Sequence, residues 1–374
     1  AGLRTCPHPI RHLFSVVLRH AFGTSTEGIY LRKRSDGRLF NLARLKAKSK
    51  TREAIIRDML FADDAAVCTH SEEQLQTLME HFSRACRDFS LTISLKKTQV
   101  MAQEADPPNI TINNYTLEVV HQFVYLGSTI SDNLSINAEI NKRIGKAATT
   151  MARLTERVWN NNMLTISTKV AVFHACVLST LLYGSESWTV YASQEKKLNT
   201  FYMRCLRRIL HIRWQDHITN SEVLDRAKTT SLITILRQRR LRWLGHVYRM
   251  EDGRIPKDLL YGELASGKRS TGRPHLRFKD VCKRDMKAME IDTNRWEQLA
   301  GDRSQWKQAV SAGLRRSEEK LRQSAESKRA KRKEKQGLPL SDSAFRCPLC
   351  DRDCHSRIGL SSHSRRCSDL QLHR

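Results

Sequence analysis

No run of apolar residues in this sequence is long enough to cross a membrane. The longest, Val170 to Tyr183, is interrupted by His174, Ser179 and Thr180 and falls short of the roughly 18 residues a span requires. No charged stretch runs into an apolar one ahead of a small-residue cleavage site, the pattern of a secretory leader. Negative charge is scarce: across 374 residues, 39 Asp+Glu face 65 Lys+Arg, a formal net charge of +26. Disulfide-scaffold spacing is missing too, because Cys6, Cys68, Cys86, Cys176, Cys205 and Cys282 stand singly among apolar residues, as buried reduced thiols do. The first residue is Ala1 rather than Met, and a piece of a longer reading frame is the expectation.

What is present is core-forming material, positive charge and clustered sulfur. With 40% hydrophobic residues the chain is no disordered tail, and its length suits about two to three domains. The charge implies a polyanionic partner, most often nucleic acid, because each phosphate neutralised releases condensed counterion. A solvated basic surface is the bland alternative. The last four cysteines lie within 21 residues, which points to metal and a reducing compartment.

Along the chain, residues 27–70 read as β-rich, opening on one hairpin: Gly28-Ile-Tyr-Leu-Arg-Lys33, a turn at Ser35-Asp-Gly37, then Arg38-Leu-Phe-Asn-Leu42. Met59-Leu-Phe-Ala62 and Ala65-Ala-Val-Cys68 follow as short apolar strands separated by Asp63 and Asp64. Ser71 caps a helix over 71–89 with Glu72 and Glu73 in its first turn. Leu91-Thr-Ile-Ser94 to Val100-Met101 reads as a further strand, and residues 109–117 with 123–127 as a small sheet with an Asn-Asn turn. From residue 135 amphipathic helices take over: 136–159, 167–183, 194–210, 221–227, 231–249 and a pair within 275–312. A Gly- and Arg-rich loop, Gly267 to Pro274, divides them. Residues 315–335 hold ten Lys or Arg and four Glu, a solvated helix or a disordered linker.

Asp63-Asp64 carries the first chemical signal. A two-residue hairpin turn normally wants Asn-Gly, Asp-Gly or Gly-X. Two like charges at the end of buried strands repel each other unless a cation sits beside them. Divalent ions remove the conflict, and two-metal phosphoryl-transfer sites are built from carboxylates on short strands. An exposed acidic turn is the bland alternative.

The arrangement of apolar strand, Phe61-Ala-Asp-Asp64, apolar strand and Ser-Glu-Glu helix start resembles the palm hairpin of reverse transcriptases, in the form found in non-LTR (LINE-type) retrotransposons. Phe89-Ser-Leu-Thr-Ile-Ser-Leu-Lys-Lys-Thr98 is similar to the following family motif, which implies that Lys97 lies near the incoming nucleotide. Phe123-Val-Tyr-Leu-Gly-Ser128 resembles the primer grip. Leu181-Leu-Tyr-Gly-Ser-Glu-Ser-Trp188, Leu241 to Met250 and Gly267 to Pro274 are similar to phrases beyond the polymerase of these elements. The resemblance covers about residues 13–312, starting near Leu13 to His20. It implies RNA-templated DNA synthesis at a nicked chromosomal target, with Asp63, Asp64 and Lys97 catalytic and Mg²⁺ on the two aspartates.

The family also needs an earlier palm Asp and a Gly-rich, Gln-containing motif. Upstream of Asp63 the acids are Glu27, Asp36, Glu53 and Asp58, and none sits in a matching strand. The expectation is therefore that fingers and the first half of the palm are absent, and that this chain alone does not polymerise.

The second signal is Phe345-x-Cys347-x2-Cys350-x12-His363-x3-Cys367, the ligand spacing of a C2H2-type zinc finger with Cys as the last ligand. Four N/S ligands close a tetrahedral shell, so Zn²⁺ is expected to be structural. Phe345 and Leu360 resemble the small-core positions of such modules, and Cys354 stands where an aromatic is usual. That thin core should depend on metal. Cys354, His355 and His373 are spare ligand candidates. With a helix from Arg357, the base-facing positions hold Ser356, Gly359 and Ser362, which offer no bidentate base contact. Arg352, Arg357, Arg365 and Arg366 can reach phosphates.

The expected fold is α+β: a partial palm with antiparallel sheet over 1–130, a mainly helical thumb and connector over 131–312, a basic linker over 313–343 and a small ββα zinc finger over 344–374. Phe123, Tyr125, Leu126 and Gly127, with Arg207, Arg208, Arg239 and Arg240 from the basic helices, are the expected contacts to an RNA–DNA duplex. Trp214 and Trp243 are stacking or core residues, and Lys328 to Lys335 is a nuclear import signal or a solvated linker. The expected setting is nuclear, with room for a cytoplasmic ribonucleoprotein stage and no membrane partner. The rival reading is a non-enzymatic zinc-finger nucleic-acid-binding protein derived from such an element.

Overall fold

The structure, a computed structural model, describes residues 8–34, 36–47, 49–103, 105–267, 272, 274–337, 345–354 and 356–371. Ser35 of the expected turn, loop residues 268–271 and 273, linker residues 338–343, His355, His373 and the side chain of Arg366 lie outside the described residues. The fold is mixed, with many helices and small sheets, and the chain divides into two compact units, Ala1–Glu318 and Glu319–Arg374. No helix among the described residues is long and apolar enough to cross a membrane.

The first unit opens with α1 (His8–Phe22), β1 (Ile29–Lys33) and β2 (Arg52–Ile56). The hairpin expected over 28–42 does not form. β1 instead pairs antiparallel with β2, Ile29 opposite Ile56, and on its other edge with the distant strand β11 (Glu263–Leu264). Leu39, expected in the second strand, is fully buried with Leu241, Leu244 and Trp306, and its N–H donates to Glu297 Oε1 at 3.0 Å. Full burial of one leucine is worth roughly 1.5–3 kcal/mol, which outweighs a weak local alternation.

β3 (Asp58–Phe61) and β4 (Asp64–Val67) form the expected hairpin, but Phe61 pairs with Asp64. The turn is therefore Ala62-Asp63, with Ala62 at φ 56°, and Asp64 belongs to the strand. Next comes α2 (Glu72–Asp88), capped as expected by Ser71, whose Oγ accepts the Gln74 N–H at 3.3 Å. Its inner face meets α1: Val17, Leu18 and Phe22 pack against Leu78, Ala85 and Cys86. The stretch 91–95 makes no strand. Leu91 and Ile93 pack against this helix pair, and only β5 (Gln99–Val100) enters a ladder, parallel to β8 (Glu118–Val119). Between them β6 (Thr111–Ile112) and β7 (Tyr115–Thr116) flank Asn113 and Asn114, both at positive φ, as a type I′ turn requires. β9 (Gln122–Tyr125) and β10 (Ser128–Ser131) complete the strands before the helices.

The helical part runs α3 (Asn137–Arg153), a π-helical turn (Thr155–Trp159), α4 (Ile166–Val172), a second π turn (Phe173–Leu178), α5 (Ser179–Leu181), α6 (Ala192–Ile209), α7 (Asn220–Arg226), α8 (Leu232–Tyr248), α9 (Ile255–Tyr261), α10 (Phe278–Ala288), α11 (Trp296–Gly301) and α12 (Arg303–Gly337). Two apolar clusters hold it. Trp159, Phe173, Leu181, Tyr202 and Leu206 centre the first, and Met286, Met289, Trp296 and Trp306 the second. Gly245 on α8 leaves the room that Trp306 fills, with the Trp306 indole N–H donating to Leu241 O at 2.8 Å. The basic stretch 315–335 is helical, inside α12, and exposed from Arg322 to Glu334. In the second unit the described strand pairing is a single antiparallel bridge, Arg346 with Asp353, followed by α13 (Arg357–Gln371).

Candidate nucleic-acid interface and metal centre

The grip-like hairpin is organised around its turn. Tyr125 pairs with Ser128, so Leu126-Gly127 forms a two-residue loop with φ of 48° and 79°, the type I′ geometry that suits Gly in the second place. Tyr183 Oη donates to Leu126 O at 2.9 Å, and the Arg143 guanidinium donates to Gly127 O. Arg143 also lies 4.4 Å from the centroid of the Tyr183 ring. Glu139 completes the clamp, accepting from Arg143 Nε at 2.6 Å and from the Thr129 N–H at 2.7 Å. Two phrases far apart in sequence, Phe123–Ser128 and Leu181–Trp188, thus meet. Arg239 joins them, donating to Leu182 O at 2.7 Å and standing 4.0 Å from Glu186.

Sequence reasoning missed Glu139 and Arg143. The available signal was their i,i+4 spacing on α3, which places a carboxylate one turn before a guanidinium on one helix face. On the other side Tyr125 Oη donates to Met59 O at 3.3 Å. Burial, and then the charge of Asp64, push the Tyr125 phenol above its ordinary value. The carboxylate hairpin and the grip-like hairpin are therefore neighbours.

Asp63 and Asp64 are both exposed, and their strands are not buried in a sheet: β3 and β4 form a two-stranded sheet with Met59 and Phe61 on the surface. Asp58 sits at the far end of the hairpin, paired with Arg57 at 3.1 Å. Among the described residues no third carboxylate gathers with the pair. The residues present do not fit a two-ion magnesium site. Lys97 is exposed in the turn after Ser94, its N–H donating to Ser94 O at 2.9 Å.

The basic helices divide. Arg240, expected at a nucleic-acid surface, is fully buried against Asp285 and touches no solvent, so it belongs to the core. Arg207 is half-buried and donates to Ile218 O and Asn220 Oδ1, whereas Arg208 is exposed and donates to Thr155 Oγ1 at 3.0 Å. Trp243 is half-buried against the second apolar cluster, and Trp214 is 80% exposed.

The four expected zinc ligands converge. Cys347 Sγ, Cys350 Sγ, the His363 ring and Cys367 Sγ lie within 4.8 Å of one another, with Cys350 Sγ 3.0 Å from His363 Nε2. Tetrahedral zinc with bonds of about 2.0–2.3 Å separates its ligand atoms by about 3.5–3.8 Å, so this donor set fits. A tight turn presents the first pair, with the Asp351 N–H on Cys347 O and the Cys347 N–H on Arg352 O, each at 2.9 Å. α13 presents the second pair one turn apart. The Leu349 N–H chiefly lowers the Cys347 thiol, while the Cys350 thiol followed by burial pushes Cys367 up to about 11. Cys354 is buried and outside the ligand cluster, its N–H on Phe345 O at 2.9 Å. Ser356 caps the helix through the Gly359 N–H at 3.1 Å.

Residues 38–130 match the family model described as reverse transcriptase (RNA-dependent DNA polymerase). An uncharacterized transposon-derived protein of Caenorhabditis elegans is 23% identical over 263 residues, covering 67% of this chain and 94% of that protein. The RNA-directed DNA polymerases from mobile element jockey of Drosophila melanogaster and Drosophila funebris are 23% and 24% identical over 164 residues, 41% of this chain and 18% of each polymerase. The chain thus matches under a fifth of the length of those polymerases. No solved structure matches it. By motif order, this family model and these relatives, the chain is similar to the reverse transcriptases of non-LTR retrotransposons.

Proposed function

We propose that this chain is a nucleic-acid-holding part of a non-LTR retrotransposon reverse transcriptase. Residues 1–130 serve as the end of the palm, 131–312 as thumb and connector, 313–343 as a basic linker and 344–374 as a zinc finger. The observation that carries this reading is the clamp of Tyr183, Arg143 and Glu139 on the Leu126-Gly127 turn, which fixes a grip-like hairpin to the helices beside the carboxylate pair. Phe123, Tyr125, Leu126, Gly127 and Arg239 then face an RNA–DNA duplex at its phosphates and strand end, and Arg207 and Arg208 hold nucleic-acid phosphates on α6. Zn²⁺ on Cys347, Cys350, His363 and Cys367 is structural, since its four ligands leave no open position. Such a protein works at chromosomal DNA, in the nucleus.

Asp63 and Asp64 stand exposed without a third carboxylate among the described residues. That observation favours the second reading for the isolated chain: binding without synthesis, as in a protein derived from such an element. Primer extension with purified protein, Mg²⁺ or Mn²⁺ and dNTPs tests it. No template-dependent product is expected. Synthesis that disappears in Asp63→Ala sinks the non-enzymatic reading and leaves the family assignment.

A further inference from the structure

Between α6 and α7 the first unit carries a feature that palm and thumb leave without a role. α6 turns Arg204, Arg207 and Arg208 toward an open cleft of about 510 Å³, walled also by Thr200, Ile212 and Asn220. None of the three arginines makes an ion pair with a carboxylate of the described residues. Three guanidinium groups sharing one concave surface repel each other and attract an anion with closely spaced charges.

The loop over this cleft stands on Arg207 at both feet. Arg207 O accepts the Ile212 N–H at 2.9 Å, and its guanidinium donates to Ile218 O at 3.1 Å and Asn220 Oδ1 at 2.7 Å. Between the feet a 3₁₀ turn, Trp214–Asp216, is fixed by the Arg213 N–H on Asp216 Oδ2 at 2.7 Å and by His217 at φ 50°. Trp214 leads that turn with 80% of its surface exposed. Tryptophan side chains normally bury their large apolar faces, so this indole adds nothing to the core. Two residues from Ile212, its Cα lies within about 7 Å of the cleft wall.

We propose that this cleft takes a single strand of nucleic acid, its phosphates on Arg204, Arg207 and Arg208 and one base against the face of Trp214. A cationic groove flanked by an aromatic platform is the arrangement that holds unpaired nucleotides without reading sequence. A base inside a duplex is already stacked and has no free face for the indole. The proposal rests on the nucleic-acid-holding reading above and assigns this loop to the unpaired strand rather than to the duplex.

The test is fluorescence anisotropy on the full zinc-loaded chain with short labelled oligo-dT, oligo-U and a blunt RNA–DNA hybrid. Trp214→Ala should weaken both single strands about tenfold and the hybrid less than about twofold, while Trp214→Phe keeps most single-strand affinity. Arg204→Gln and Arg208→Gln should each flatten the salt dependence for single strands by about 0.7 in log–log slope. Unchanged single-strand affinity in Trp214→Ala, or an equal loss on the hybrid, overturns the proposal. Hybrid binding with no single-strand binding overturns it while leaving the proposed function intact. A chain that binds neither contradicts both.

Discussion

Arg240 Nε donates to Asp285 Oδ2 across 2.7 Å, and neither side chain exposes any surface. Arg237 Nε stands 3.5 Å from the other carboxylate oxygen. The contact ties α8 to α10, and it turns an arginine from a basic stretch into a core residue. Removing one partner strands an uncompensated buried charge, which costs about 3–5 kcal/mol. Asp285→Ala should lose that much in urea unfolding, whereas Glu222→Ala, which breaks the half-exposed Arg226 pair, should change stability by less than about 1 kcal/mol. Replacing Arg240 and Asp285 together by Met and Leu should recover much of the loss. Equal effects of the two single substitutions would contradict the buried-pair reading.

Two helical glycines should respond with opposite sign. A Cβ on Gly245 would lie 2.3 Å from Trp306 Nε1, whereas a Cβ on Gly145 meets nothing within 4 Å. Alanine gains up to about 1 kcal/mol in helix propensity at either place. At Gly245 overpacking costs about 1–3 kcal/mol and also disturbs the Trp306–Leu241 bond. Thermal melts should show Gly145→Ala at or above the unmodified protein and Gly245→Ala below it. A stabilising Gly245→Ala would refute the packing described for Trp306.

Metal content separates the four ligands from their neighbour. Elemental analysis should find one zinc per chain in the unmodified protein and in Cys354→Ser, and none in Cys367→Ser. Chelation should abolish the helical signal of α13, because a core of half-buried Phe345 and Leu360 with Cys354 cannot hold a finger without the metal. Helicity that survives chelation, or loss of zinc in Cys354→Ser, would overturn the assignment.

How far the sequence led depended on whether the deciding signal was local. Ser71 as a cap, Asn113-Asn114 as a turn and the Cys347–Cys367 spacing each act over a few residues, and each stands in the structure. Leu39 shows where local pattern fails: its alternating neighbours suggest a strand, but a distant helical core takes the side chain. The turn shifted by one residue, to Ala62-Asp63, because strand pairing fixed Phe61 opposite Asp64. Arg240 reads as one more cation in a basic run, and only the tertiary position of Asp285 reveals its burial. The clamp on Leu126-Gly127 was invisible for the same reason, since Tyr183 lies 57 positions further on.

Binding of an RNA–DNA hybrid as a function of salt tests the nucleic-acid-holding role most directly. With +26 net charge, affinity should fall steeply between low and moderate salt. The expected log–log slope is steeper than about −3, the value for roughly three phosphate contacts. An affinity that barely changes over that range, or no binding at low salt, would contradict it.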